Sequence, residues 1–134
     1  MKYFLAKTDP ETYSIEDLKK DGKTTWDGVK NPAAVKALKE MKAGDMVLIY
    51  HSQGETTIRG LAKVIGNSRP DPKEPKSWLV DFEFVKEFSE PYVTLGDVKK
   101  SGKFADLSLV RRGRLSTMSV PNEFVEWLKE RTSL

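Results

Sequence analysis

Between Ser77 and Phe88 the chain reads SWLVDFEFVKEF, and Trp78, Val80, Phe82 and Phe84 alternate with Leu79, Asp81 and Glu83. Successive side chains point to opposite faces only in an extended backbone, so this stretch is a strand. DMVLIYHS (45–52) and IRGLAKVIGNS (58–68) have the same extended character, and the three prolines of RPDPKEPK (69–76) make that stretch a loop. KYFLAK (2–7) is a short aromatic-rich run that reads as a first strand ended by TDPE, and GRLSTMSV (113–120) reads as another.

Helical signals lie between these strands. In YSIEDLKK, Ser14 caps a short helix with Asp17 three residues on. After the TTWDGVKN loop (24–31), Asn31 is an N-cap and Pro32 suits the first helical position, where a missing N–H costs nothing. Ala34, Val35, Leu38 and Met41 then follow at helical spacing until KAGD ends the element, which predicts a helix over 31–41. TLGDVKK suggests a short helix capped by Thr94, and PNEFVEWLKER a closing one with Phe124, Val125, Leu128 and Trp127 toward the core. Five or so strands interleaved with short helices predict an α+β fold, a small and strongly bent barrel with helices outside it.

At 134 residues the chain suits one domain, 1–134, with a single modest core. It has no apolar run near the roughly 20 residues of a membrane span, and MKYFLAKTDP lacks the features of a signal peptide. The expectation is a cytoplasmic monomer with no membrane partner. Zero cysteines and one histidine argue against disulfides, thiolate zinc sites and multi-histidine metal sites, so neither a metal nor a cofactor is expected. The net charge of +3 is small, but residues 99–114 carry Lys99, Lys100, Lys103, Arg111, Arg112 and Arg114 against one acid, Asp106. On charge alone that segment is a solvated surface.

Familiar catalytic patterns are missing. His51 is the one histidine base, and its neighbour Ser52 points to the other face of a strand. The acids are scattered among lysines, and GKTTWDG has neither the spacing nor the preceding strand of a phosphate loop. What stands out instead is Thr8, Trp26, Asn31, Tyr50 and His51, each at the end of an element or in a loop. Aromatic faces stack on nucleobases at about 1–3 kcal/mol per base, and amides or hydroxyls read base edges. The same residues also fit plainer roles: Trp26 as a hydrophobic plug, Asn31 as a helix cap, His51 as a satisfied strand-end histidine, Tyr50 as a core residue.

Taken together, YFLAKTDPETYSIEDL, TTWDGVKNPAAVKALKEMKAGDMVLIYHS, GLAKVIGNSRPDP, WLVDFEFVKEF and LVRRGRLSTMSV resemble an EVE domain over almost the entire chain. EVE domains belong to the PUA-like superfamily and are similar in outline to YTH domains. The resemblance implies a PUA-like β-barrel of about five to six strands with flanking short helices and a cage for a modified nucleobase. EVE members are associated with modified cytosines in DNA, and YTH members with N6-methyladenine in RNA.

Carried across, the family's Lys-Ser/Thr pair falls on Lys7 and Thr8, its Trp-Asp-Gly on Trp26, Asp27 and Gly28, and its Arg-Asn on Lys30 and Asn31. Its Tyr-His-Ser falls on Tyr50, His51 and Ser52, and its Arg-x-x-Arg-Leu-Ser on Arg111, Arg114, Leu115 and Ser116. Two positions depart from the pattern: Pro32 stands where an aromatic commonly follows, and Lys30 offers one ammonium where arginine offers a planar fork. The implied base pocket is Thr8, Trp26, Asn31, Tyr50, His51 and Ser52, with Lys7, Lys30, Arg111, Arg112 and Arg114 on the nucleic-acid backbone.

The leading expectation is therefore a non-catalytic domain that binds DNA or RNA and reads one flipped, modified base. A second is a small PUA-like hydrolase of modified nucleosides, similar to ASCH domains, working through Lys7 and Thr8 with lysine as base. A third is a protein-interaction module with Trp26 as its anchor.

Overall fold

The computed structural model describes residues 1–134. In chain order the elements are β1 (Tyr3–Thr8), α1 (Ile15–Asp21), β2 (Lys23–Trp26), α2 (Pro32–Glu40), β3 (Met46–His51), β4 (Thr57–Val64), β5 (Arg69–Pro70), β6 (Trp78–Glu87), β7 (Val93–Thr94), α3 (Leu95–Lys100), α4 (Ser108–Arg111), β8 (Thr117–Val120) and α5 (Asn122–Lys129).

β1 and β3 lie inside the sheet because their apolar residues are consecutive. Phe4, Leu5 and Ala6 of β1 and Val47 to Tyr50 of β3 are all buried, as strands covered on both faces require. They pair in parallel, from Tyr3 opposite Met46 to Thr8 opposite His51. Asp45 secures the start of this ladder: its buried carboxylate accepts from the backbone N–H of Lys2 (3.0 Å) and of Lys42 (2.9 Å). β8 adds antiparallel to the other side of β1, and the sheet runs β2-β6-β4-β3-β1-β8, with β5 on β6 and β7 on β4.

The sheet departs from the expected barrel of five to six strands. It has eight strands, and its two ends, β2 and β8, are not hydrogen-bonded to each other, so it is open. α2 packs against both β8 and β6, lying between the regions that would have to meet for closure. The extra strands come from three places. β2 occupies the first part of the expected 24–31 loop, where KTTW pairs with β6 from Lys23 opposite Glu83 to Trp26 opposite Val80. β5 and β7 are two residues each and exist only because β6 and β4 offer them a ladder; Pro70 is tolerated there at an edge.

The helices follow their predicted caps. Ser14 and Asp17 form a reciprocal capping box on α1, and Thr94 and Asp97 form one on α3. Ala34, Val35, Leu38 and Met41 are buried along α2, as are Phe124, Val125, Trp127 and Leu128 along α5. The short α4 forms in the segment read as a basic surface, and it buries Leu109. No helix is long and apolar enough to cross a membrane.

Two irregularities flank Gly60. Between β3 and β4 the pairing jumps from Ile49–Gly60 to Tyr50–Ile58, and between β4 and β6 from Leu61–Lys86 to Ala62–Phe84. Such bulges bend the strand, and here α1 is laid directly on the bend. A Cβ at Gly60 would fall inside contact distance of the Ile15 side chain and 2.8 Å from the Lys86 carbonyl oxygen. Gly60→Ala is expected to lower stability by about 1–3 kcal/mol, measured as a lower denaturant midpoint. Adding Ile15→Val, which deletes Cδ1, should restore part of that loss; a double variant no better than the single one would place the strain elsewhere.

Candidate functional site

The end of β1, the β2 strand and the turn that follows it enclose a cavity of about 500 Å³. β2 is an edge strand, so its alternation sets Thr24 and Trp26 on the partly buried side and Lys23 and Thr25 on the exposed one. Trp26 leans on the fully buried Phe82, with ring centroids 5.2 Å apart and planes inclined by 32°, while also lining the cavity. Thr25 donates to Asp81 at 2.8 Å, and Arg69 grips the same carboxylate with two nitrogens at 3.2 and 3.3 Å. The Thr25 hydroxyl first, and then Arg69, hold the Asp81 carboxyl below its ordinary range despite some desolvation.

After Trp26 the chain turns at Gly28, whose φ of 72° is a left-handed value that glycine adopts without strain. Val29 is buried, and its carbonyl accepts from the hydroxyl of the fully buried Ser77 at 2.5 Å. That bond fixes the turn carrying Asp27 and Lys30 to the start of β6.

Opposite Trp26 are Lys7, Thr8 and Asp9 at the end of β1, the Asp9–Tyr13 turn, and Ser116 just before β8. Thr8 donates its hydroxyl to the Tyr13 carbonyl at 2.7 Å, and Asp9 O accepts from the N–H groups of Thr12 and Tyr13, both at 2.9 Å. The Tyr13 hydroxyl donates to Asp21 at 2.9 Å, and burial is the main cause that pushes the phenol up from its usual range. Lys7 Nζ donates to Gly113 O at 2.9 Å and stands 5.6 Å from the centre of the Tyr50 ring; burial pulls this ammonium below the ordinary lysine range.

Of the thirteen lining residues three are hydrophobic, so the cavity suits a ring with hydrogen-bonding edges better than a hydrocarbon. Its charged lining residues, Lys7 and Lys30 against Asp9 and Asp27, cancel formally. The cavity is therefore matched to an uncharged group, and net positive charge lies outside it.

The structure brings together Lys7, Thr8, Trp26 and Lys30 from the residues marked in the sequence, together with Asp27, Gly28 and Ser116 of the family pattern. Asn31, Tyr50, His51 and Ser52 do not line the cavity. Asn31 caps α2, accepting from the N–H of Ala33 (2.8 Å) and Ala34 (3.3 Å). Tyr50 is in the core, and Ser52 continues the β1–β3 ladder by donating its N–H to Thr8 O at 3.0 Å. His51 is buried, and its Nε2 accepts from the N–H of Ile15, the first residue of α1, at 3.1 Å. Arg111, Arg112 and Arg114 are exposed, and Arg111 lies 3.6 Å from Asp106. Asp9, Thr12, Tyr13, Thr24, Thr25 and Val29 also line the cavity, although in the sequence TDPE reads only as a strand stop and the two threonines as loop.

An open mixed sheet with short helices, carrying a largely polar cavity beside Trp26, defines a small α+β domain. The EVE domain model matches residues 2–131, and the chain belongs to that family. It is 30% identical to human thymocyte nuclear protein 1 (THYN1), over 96% of this chain and 74% of that protein. A Pseudomonas syringae protein of known structure superposes with a TM-score of 0.87 at 32% identity, over 96% of this chain and 99% of the other. The crystal structure of human THYN1 in complex with DNA containing 5-methylcytosine superposes with a TM-score of 0.85 at 28% identity, over 98% and 99% of the two chains. An ASCH protein of Zymomonas mobilis, with a TM-score of 0.61 at 11% identity over 98% and 99%, shares the fold alone.

The His51 contact has a measurable pH signature. Burial, and then the Arg59 charge, lower its pKa from the ordinary 6.5, with Glu16 opposing. The folded protein thus binds fewer protons than the unfolded chain near that pH. This contribution to stability is full above pH 6.5 and is lost as pH falls through the lowered folded value. His51→Gln, which offers an acceptor that does not titrate, should flatten the loss of stability between about pH 7 and pH 5. His51→Leu should cost about 1–3 kcal/mol at pH 7 by orphaning the Ile15 N–H. Denaturant titrations across that range check both, and an unchanged pH slope in His51→Gln would refute the assignment.

Proposed function

We propose that the protein is a non-catalytic nucleic-acid-binding domain that takes one modified base, a modified cytosine, into the cavity beside Trp26. The observation that carries this reading is the placement of Trp26: backed by the buried Phe82 on one side, it lines a mostly polar cavity with no net formal charge. A nucleobase is flat, uncharged and polar at its edges, and a cavity of about 500 Å³ accommodates one. The complex of its relative human THYN1 with 5-methylcytosine DNA supports the choice of nucleic acid and of base. In this reading the exposed Arg112 and Arg114 meet the phosphates on either side of the flipped base.

The hydrolase reading through Lys7 and Thr8 has weaker support. The Lys7 ammonium donates to Gly113 O and the Thr8 hydroxyl to Tyr13 O, so a nucleophile-and-base pair would require both to leave their carbonyls.

Binding is tested with fluorescent oligonucleotides that differ at a single cytosine: unmodified, 5-methyl or 5-hydroxymethyl. The methyl group is expected to contribute about 1–3 kcal/mol of preference. Trp26→Ala should weaken binding of the preferred strand by about 1–3 kcal/mol, measured on protein shown to be folded because the ring also packs on Phe82. A large loss of stability with normal residual binding would instead make Trp26 a plug.

The arginines should behave differently. Arg112→Ala with Arg114→Ala should reduce affinity for modified and unmodified strands alike, and should lower the slope of log affinity against log salt by about one for each phosphate that is no longer neutralised. Equal effects of the tryptophan and arginine variants on both slope and preference would overturn this division of labour.

A further inference from the structure

Lys7 is held differently from the other cations of the basic surface. It belongs to β1, inside the sheet, and is partly buried, whereas Arg111, Arg112 and Arg114 are exposed. Its hydrogen bonds converge on one segment. The backbone N–H donates to Ser116 O at 2.8 Å, one step beyond the Ala6–Thr117 pair of the β1–β8 ladder, and Nζ donates to Gly113 O at 2.9 Å. Between those two acceptors the chain makes a tight turn, closed by Leu115 N–H to Arg112 O at 2.9 Å. Its exposed residues are Arg112, Gly113 and Arg114, and neither arginine pairs with a carboxylate of the protein.

We propose that Lys7 is a positioning residue: its ammonium latches the Arg112–Leu115 turn to the end of β1, so that Arg112 and Arg114 stand at the edge of the Trp26 cavity. Lys7 and Ser116 both line that cavity, which puts the turn at its rim. The value of the latch to binding rests on the nucleic-acid reading above. Without Nζ on Gly113 O the turn keeps its closing bond, the Arg112 N–H bond to Ser108 O (2.8 Å) and the ladder bond at Ser116, but Gly113 and Arg114 lose their tie to β1 and the guanidinium groups their fixed position. Lys7 then strengthens phosphate binding through the arginines rather than by touching a phosphate itself.

The test uses the full chain with Lys7→Met, and with Lys7→Gln as a second variant should the first fail to fold. Lys7→Arg is the control that keeps a cationic donor. Native-state trypsin cleavage after Arg112 and Arg114 is followed by mass spectrometry, with cleavage after Lys99, Lys100 and Lys103 as the internal reference. The latch predicts about a tenfold rise in cleavage at the turn relative to that reference, the scale expected when one hydrogen bond is removed, and a rate near wild type for Lys7→Arg.

Binding to an unmodified oligonucleotide gives the second arm. Lys7→Met should flatten the salt dependence of affinity, and should add little further when combined with Arg112→Ala and Arg114→Ala. Unchanged cleavage in Lys7→Met overturns the latch, and full additivity with the arginine variants does so by showing that Lys7 meets phosphate directly. Should the wild-type protein bind no oligonucleotide, the nucleic-acid reading falls while cleavage still decides the latch.

Discussion

The parallel pairing of β1 with β3 is the constraint from which the rest of the molecule follows. Two strands that run the same way cannot be joined by a hairpin, so the chain between Thr8 and Met46 must leave β1 and cross over before it returns beside it as β3. That excursion makes α1, β2 and α2. β2 reaches the far end of the sheet, on the other side of β6, and the turn after it faces the end of β1. The cavity is thus the space between the end of one central strand and the chain segment its parallel pairing forced outward.

Hydrogen bonds to main-chain atoms then hold the cavity's walls. Ser77 fastens Val29, Thr8 fastens Tyr13, and His51 satisfies the first N–H of α1, which belongs to the same excursion. Each bond contributes little on its own, yet together they set the lining before any ligand arrives, which lowers the ordering cost of binding. Charge is partitioned as well: two lysines and two carboxylates line the cavity, and the unpaired arginines stand on the neighbouring turn. In the proposed reading, a base and its flanking phosphates would occupy those two environments side by side.

The elements are legible in the sequence where one local rule governs them. Ser14, Asn31 and Thr94 are caps because their side chains serve N–H groups two or three residues away, and nothing distant enters into it. Trp78, Val80, Phe82 and Phe84 announce β6 because alternation is a property of the backbone itself. Lys7, Thr8, Trp26 and Lys30 are marked by the family pattern, the two lysines for the nucleic-acid backbone and the other two for the base, and all four line one cavity. Tyr50 and His51 look the same in that pattern but face the core and the start of α1, because the side a strand residue presents depends on what covers the sheet there. Thr24, Thr25 and β2 itself are hidden because four residues with two threonines form a strand only when β6 supplies a partner.

By itself, then, the sequence determined the periodicities, the caps, the apolar runs that had to be central and the family to which the chain belongs, since each depends on residues near one another or on their order. Only the tertiary structure decided that the sheet stays open, that α1 rests on Gly60, and that Lys7 reaches Gly113, more than a hundred residues away. Those outcomes depend on which surfaces meet once every strand has found its partner. Hydrophobic burial is non-directional, so it drives the meeting without specifying the contacts; hydrogen bonds and steric fit between distant residues select among the arrangements it permits.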